Sequence, residues 1–286
     1  MRRLFFAVLA ALMLATATPA AAITYGQLDN GAHPQVGLVV FLDAGNHPLW
    51  RCSGTLMSAT VLLTAGHCTG TDGTVSPAHA IVWFTDHVTV GTGGNPSDLC
   101  NTGRVGYPCN GGATGTPHPH PQWTGALTLP NTHDVGVVVL DSAVSATYGT
   151  LPPLGFLDGL ATRRGLQDTN LTRVGYGLQE VKPNLSGLRT RFEASQQIKD
   201  LRSALTDGFN VGTTNAPGNG LGDGFVQPGG ACFGDSGGPA FYAQTLTVVG
   251  ITSFVLNLNC KGGDYSFRTD TSVVQDFLAG FGITAP

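Results

Sequence analysis

The stretch Gly230-Ala231-Cys232-Phe233-Gly234-Asp235-Ser236-Gly237-Gly238-Pro239 decides how the rest of the chain is read. A serine set among glycines sits on a tight turn, where little side chain blocks approach to its hydroxyl. Neighbouring backbone N–H groups on such a turn can point at one anion, as an acyl-transfer transition state requires. The competing reading is a glycine-rich surface turn whose serine has no role, and this motif alone does not choose between them.

Working outward, the 286 residues are 42% hydrophobic and 11% charged, with 41 glycines. Abundant glycine with few charges implies many short strands joined by turns, enough chain for one large all-β domain. The formal charge of −4 is spread over interspersed acidic and basic residues. That pattern lacks the basic face of a nucleic-acid binder.

Met1-Arg2-Arg3 precedes an apolar run from Leu4 to Leu14, and Ala20-Ala21-Ala22 supplies small residues for a signal peptidase. Residues 1–22 therefore read as a secretory signal, with residues 23–286 as the exported domain. The apolar run is short for a bilayer span, so no membrane attachment is expected after cleavage. Six cysteines in an exported chain imply three disulfides, with 15 formal pairings. Cys52 and Cys68 bracket a candidate hairpin, Cys100 and Cys109 a Gly/Asn loop, and Cys232 and Cys260 the serine region. No close Cys/His set has zinc spacing, so no metal is expected. His118 and His120, among prolines 117, 119 and 121, read as a solvated, extended spacer.

Val36 to Leu42 reads as a buried strand with a turn over Asp43 to Asn46. Val61-Leu62-Leu63-Thr64-Ala65-Gly66-His67-Cys68 ends an apolar strand on a histidine, and His133-Asp134-Val135-Gly136-Val137-Val138-Val139-Leu140 opens another on an aspartate. A carboxylate entering an apolar strand is costly unless it receives hydrogen bonds, which a histidine N–H supplies. His133 neighbours Asp134 and should face the opposite way. Asp141 closes the strand after the apolar run. The order His67, Asp134, Ser236 excludes an α/β-hydrolase, whose serine precedes its histidine; the last histidine here is His133.

Gly234-Asp235-Ser236-Gly237-Gly238-Pro239, Thr64-Ala65-Gly66-His67-Cys68 and the His133-Asp134 strand together resemble three motifs of the trypsin-like (chymotrypsin-family) serine proteases. The resemblance implies an all-β fold of two six-stranded antiparallel barrels with a C-terminal helix, the halves being approximately 23–150 and 151–286. It implies a monomeric endopeptidase acting on proteins or peptides without a cofactor. His67, Asp134 and Ser236 map onto the triad, and the N–H groups of Gly234 and Ser236 onto the oxyanion hole. Ile23, as a new N-terminus, would pair its α-ammonium with Asp235, so that leader removal itself activates the chain. Gly230 falls at the base of the primary pocket, with Phe233, Ser253, Phe254 and Val255 in the substrate-binding set and Ser253 touching the aspartate. Glycine at 230 and Val255 favour small or medium apolar P1 residues; Asp264, if it faces the pocket, would favour basic ones. Gly66 replaces the usual alanine, Tyr25 a glycine and Tyr176 a tryptophan. A catalytically silent binding protein on the same scaffold is the alternative reading.

The remaining expectations are local. Residues 91–115 read as an elaborated loop, Val82 to Phe84 and His87 to Val90 as strands, and 189–205 as a strand with a short helix. Thr172 to Gly177 should open the second half. Asp270 and Thr271 should cap an amphipathic helix that stops at Gly280.

Overall fold

The computed structural model describes residues 23–88, 112–160, 169–182, 187–215 and 226–286. The leader, the Gly91–Gly111 part of the insertion and the Cys100–Cys109 pair lie outside them. After the two-residue β1 (Gln27–Leu28), a first barrel forms from β2 (Val36–Leu42), β3 (Pro48–Leu56), β4 (Val61–Thr64), β5 (His79–Trp83), β6 (Ala113–Pro119) and β7 (Gly136–Leu140). Its ring order is β2-β3-β4-β7-β6-β5. A helical turn, α1 (Gly66–Thr69), follows β4, and a second, α2 (Phe156–Gly159), follows the connector Leu151-Pro152-Pro153. The second barrel comprises β8 (Asn170–Gly175), β9 (Phe192–Asp200), β10 (Asn210–Asn215), β11 (Pro239–Tyr242), β12 (Val248–Val255) and β13 (Gly262–Arg268), closed where β8 pairs with β9. The last element is α3 (Ser272–Ala279).

All seven residues of β2 are buried, because one face lines the barrel and the other is covered. Each such Val, Leu or Phe contributes on the order of 1.5–3 kcal/mol by leaving water. β1 does not join the first barrel. It pairs with β9, Gln27 opposite Glu193, so the start of the chain belongs to the second sheet. Arg191 locks this arrangement: its Nε donates to Asp29 (2.7 Å), its Nη1 to the carbonyls of Val36 (3.1 Å) and Phe84 (3.0 Å), and its Nη2 pairs with Asp86.

Several local expectations change. Residues 113–115 are strand, not loop, and Pro117 and Pro119 lie within β6. The even residues of β6 bond toward β7, as the Asp141 N–H to Thr114 O and His120 N–H to Val135 O bonds show. The prolines therefore face β5, whose pairing has ended at Gly115, and no ladder donor is missed. The histidines there are not a solvated spacer. His120 is buried, stacked 5.1 Å from the His133 ring and 5.2 Å from Phe277, while His118 meets Phe281 at 5.6 Å. The C-terminal helix thus seals the first barrel. Of the expected strand from His87 to Val90, His87 makes an isolated bridge to Thr190 and residues 89–90 lie outside the described residues; 201–208 is a run of turns with no helix. Thr271 is the N-cap of α3 but makes no side-chain cap bond, and Asp270 is engaged elsewhere, with Arg268 (2.7 Å) and the Leu157 N–H (2.7 Å).

Candidate active site

β4 ends at Thr64 and the chain turns at once into α1, which lifts His67 from the strand end. Gly66 lets this turn press on the Asp134 segment: a Cβ there would lie 3.0 Å from His133 O and Val135 N. The alanine usual in the family has no room unless that segment shifts. Asp134 is 0% exposed. It accepts the His67 backbone N–H (2.7 Å), contacts His67 Nδ1 through both oxygens (2.9 and 3.1 Å) and accepts the Ser253 hydroxyl (2.5 Å). Burial works against the Asp134 charge, but these donors outweigh it and hold the carboxyl below its ordinary range. Burial likewise depresses His67, and the Asp134 carboxylate reverses that, leaving the imidazole above its ordinary 6.5. His133 has φ 49°, its ring turned onto His120, and burial lowers its pKa. Asp141 is exposed and accepts the Thr114 hydroxyl. Neither stands in for the His67–Asp134 pair.

The Ser236 loop is fastened to the first barrel beside this pair. The Ser53 N–H donates to Ser236 O (2.8 Å), and Ser53 Oγ donates to Gly234 O (2.9 Å) while accepting the Tyr176 N–H (3.0 Å). Gly237 has φ 78°, and a Cβ there would lie 2.8 Å from Ala65 N, two residues before His67. Gly234, at φ 99°, adopts backbone that other residues resist. The Leu178 N–H holds the Phe233 carbonyl (2.9 Å), so the Gly234 N–H of that trans peptide points the opposite way. Among the described residues, neither the Gly234 nor the Ser236 N–H has an acceptor. Both remain open to an anion.

Asp235 is buried, bonded to the N–H groups of Gly177 (2.7 Å) and Cys232 (2.9 Å). Burial pushes its pKa up to about 7, against those bonds and the positive charges of Arg51 and Arg173. Ile23 is fully buried against Phe192 and Ala194. Thr24 forms a bridge with Gly230: the Gly230 N–H donates to Thr24 O (3.0 Å), and Thr24 Oγ1 donates to Gly230 O (3.0 Å). Tyr25 takes φ 65°, the left-handed backbone that accounts for glycine there in related starts.

At Gly230, the expected pocket base, a Cβ would lie 2.1 Å from Asn215 Cγ, so a side chain fits only if Asn215 moves. Val255 stands opposite Asp264 across β12 and β13, and Phe254 stacks on Tyr265 with ring centroids 4.7 Å apart. Phe233 is 43% exposed. Asp264 does not present its carboxylate to a cleft: it is 0% exposed and ion-paired with Arg173 at 3.1 Å. Disulfides join Cys52 to Cys68 and Cys232 to Cys260, the second linking the Ser236 loop to the start of β13.

Two groups have metal-like proximity among the described residues. In Cys52, His67 and Cys68 the sulfurs are already bonded to each other. In Asp29, His33 and Glu193, Arg191 already supplies the cation. Sequence reasoning missed Ser53, Leu178, Arg173 and Arg191, and also Trp123, whose ring lies 6.5 Å from His67 and whose Nε1 donates to Thr71 O (3.0 Å). Nothing local marks these residues, since their partners come from distant segments.

Two closed antiparallel barrels define the chymotrypsin type of fold, and here a buried aspartate holds a histidine near the glycine-rich loop that carries Ser236. The profile described as Trypsin matches residues 114–278, and the chain belongs to that family. No curated protein matches the sequence. Among solved structures, HL collagenase superposes with a TM-score of 0.61 at 15% identity, covering 92% of this chain and 98% of that one. Neuropsin, a serine protease of mouse brain, gives 0.60 at 17%, covering 91% and 100%. An inactivated protease paralogue of the scabies mite gives 0.56 at 15%, covering 91% and 97%. Likeness at such identities establishes the fold alone.

Proposed function

We propose that this chain is a secreted serine endopeptidase working through an acyl-enzyme. One observation carries the reading: a fully buried Asp134 grips Nδ1 of a partly exposed His67, next to the loop that bears Ser236. Asp134 keeps the proton on Nδ1, so Nε2 is the basic nitrogen. Ser236 Oγ attacks the substrate carbonyl and His67 takes its proton, later delivering it to the leaving amine. Asp134 stabilises the imidazolium between these steps. The Gly234 and Ser236 N–H groups receive the oxyanion, each contributing about 3 kcal/mol to the transition state. No cofactor enters this scheme.

Residues 1–22 act as the leader, and cleavage after Ala22 frees the Ile23 α-ammonium to pair with Asp235. A buried carboxyl whose pKa stands near 7 is one that a cation would stabilise. The exported chain acts as a monomer on proteins or peptides, its two halves at 23–150 and 151–286 meeting at the cleft. The primary pocket takes small or medium apolar P1 side chains, a reading supported by the bare Gly230 base, by Val255 on the wall and by the prior commitment of Asp264 to Arg173.

The alternative, a catalytically silent binding protein, has support in the fold shared with the scabies mite paralogue. A fluorophosphonate probe decides: the secreted chain should be labelled, and Ser236→Ala should not. An unlabelled wild-type chain that starts at Ile23 overturns the endopeptidase reading.

A further inference from the structure

The interior of the second barrel holds an ion pair, Arg173 with Asp264, that is bonded to none of the proposed catalytic groups, although the charge of Arg173 also reaches Asp235. Arg173 lies on β8 between Ala194 of β9 and Ala240 of β11, two small neighbours that leave room for its side chain to enter the barrel. It is 0% exposed, and every guanidinium N–H is used. Nε donates to Gln196 Oε1 (2.6 Å), Nη1 to Thr252 Oγ1 (2.8 Å) and to Ser266 Oγ, and Nη2 to Thr213 Oγ1 (3.3 Å) and Asp264 Oδ1 (3.1 Å). Asp264 is equally saturated. Oδ1 also accepts from Thr213, and Oδ2 accepts from Gln196 Nε2 (2.6 Å), Asn215 Nδ2 (3.3 Å) and the Ala231 N–H (2.7 Å).

That last bond places the carboxylate directly against the pocket base. Ala231 follows Gly230, and Asn215 fills the space beneath Gly230 while donating to Ala231 O (2.7 Å). A carboxylate at such a floor would attract a lysine or arginine side chain of the substrate. A buried carboxylate must be paired, and whichever cation pairs with it determines what the floor offers to a ligand. Here the cation is the protein's own, arriving from the opposite side of the barrel.

We propose that Arg173 is a specificity-determining counter-ion: by neutralising Asp264 from within, it closes the primary pocket to basic P1 residues and leaves it selective for apolar ones. This rests on the endopeptidase reading above. It predicts that the charge preference of the pocket follows the net charge of the pair. Arg173→Met keeps much of the side-chain volume and uncovers Asp264; Asp264→Asn uncovers Arg173 instead.

The experiment compares kcat/KM over a matched peptide series with P1 Ala, Val, Leu, Lys, Arg and Glu, after fluorophosphonate titration of active sites. Wild type should cleave after the apolar residues at least about tenfold better than after Lys or Arg. Arg173→Met should raise the ratio of basic to apolar P1 by about tenfold or more, Asp264→Asn should raise the ratio of Glu to apolar, and the double variant should return to the apolar profile. A merely structural role would lower all substrates together. A wild-type preference for Lys or Arg, or a folded, titratable single variant with an unchanged profile, overturns the proposal. A wild-type chain that labels with no probe and cleaves nothing defeats the endopeptidase reading itself, which is a separate result.

Discussion

Removing or retaining one residue ahead of Ile23 should reverse the pH dependence of stability. In the uncleaved chain Asp235 has a pKa near 7, against an ordinary 3.8, chiefly because it is buried. That gap of about three units corresponds to about 4 kcal/mol of disfavoured ionisation. The sign follows from linkage. An acid whose folded pKa is raised holds its proton longer when folded, so raising the pH through its unfolded pKa favours the unfolded chain. Stability from this group is therefore intact below about pH 4, falls through the interval to about 7, and is fully lost above it. Cleavage after Ala22 places an α-ammonium, ordinarily titrating near 8, at Ile23. Pairing with it would bring the folded pKa of Asp235 below the unfolded value, and stability would then rise with pH over the acid range. The assay is urea unfolding from pH 4 to 8 for chains starting at Ile23 and at Ala22, with Edman sequencing of each and active-site titration alongside. Asp235→Asn should flatten the profile of the Ala22 form. Equal slopes and equal titratable activity for the two starts would refute the reasoning.

The His67 imidazole lies above 6.5, so the rising limb of kcat/KM against pH should have its midpoint above 6.5. Asp134→Asn removes the carboxylate that raises it, so that midpoint should move below 6.5 while kcat falls on the order of 10⁴-fold; an unmoved midpoint contradicts the assignment. Ser53→Ala deletes the bonds to Gly234 O and from the Tyr176 N–H. The loss of about 1–2 kcal/mol should lower kcat roughly tenfold with KM little changed, measured on one good substrate. Replacing both Cys232 and Cys260 by serine opens a loop with a sequence separation of 28, which should cost about 3–4 kcal/mol in urea unfolding.

Much of the candidate site is legible along the chain because each part is a local motif. Gly234 and Gly237 announce positive φ around Ser236, an apolar run ends at His67, and Asp134 opens a strand whose entry a carboxylate tolerates only when bonded. Along the chain, 113–115 reads as loop and Pro117 to Pro121 as an extended, solvated spacer; the structure keeps the extension but pairs the stretch as β6 and buries His120. Whether a proline breaks a strand depends on which side lacks a partner, and that is a property of the sheet. The α3 cap failed for a related reason, since Asp270 finds Arg268 and Leu157 instead of its own helix.

By itself the sequence indicated an all-β chain, bracketed the two disulfides seen and supplied the ordered motifs around His67, Asp134 and Ser236 whose family resemblance implies two barrels, because strand pattern, turn glycines and short motifs are carried by neighbours along the chain. Only the tertiary structure decided that Asp264 faces inward to Arg173, that Ser53 clamps the Ser236 loop, and that Arg191 ties the start of the chain to both barrels. Those contacts join residues from 91 to 181 positions apart. A buried charge or hydroxyl takes its meaning from whichever partner satisfies it, and barrel closure selects that partner.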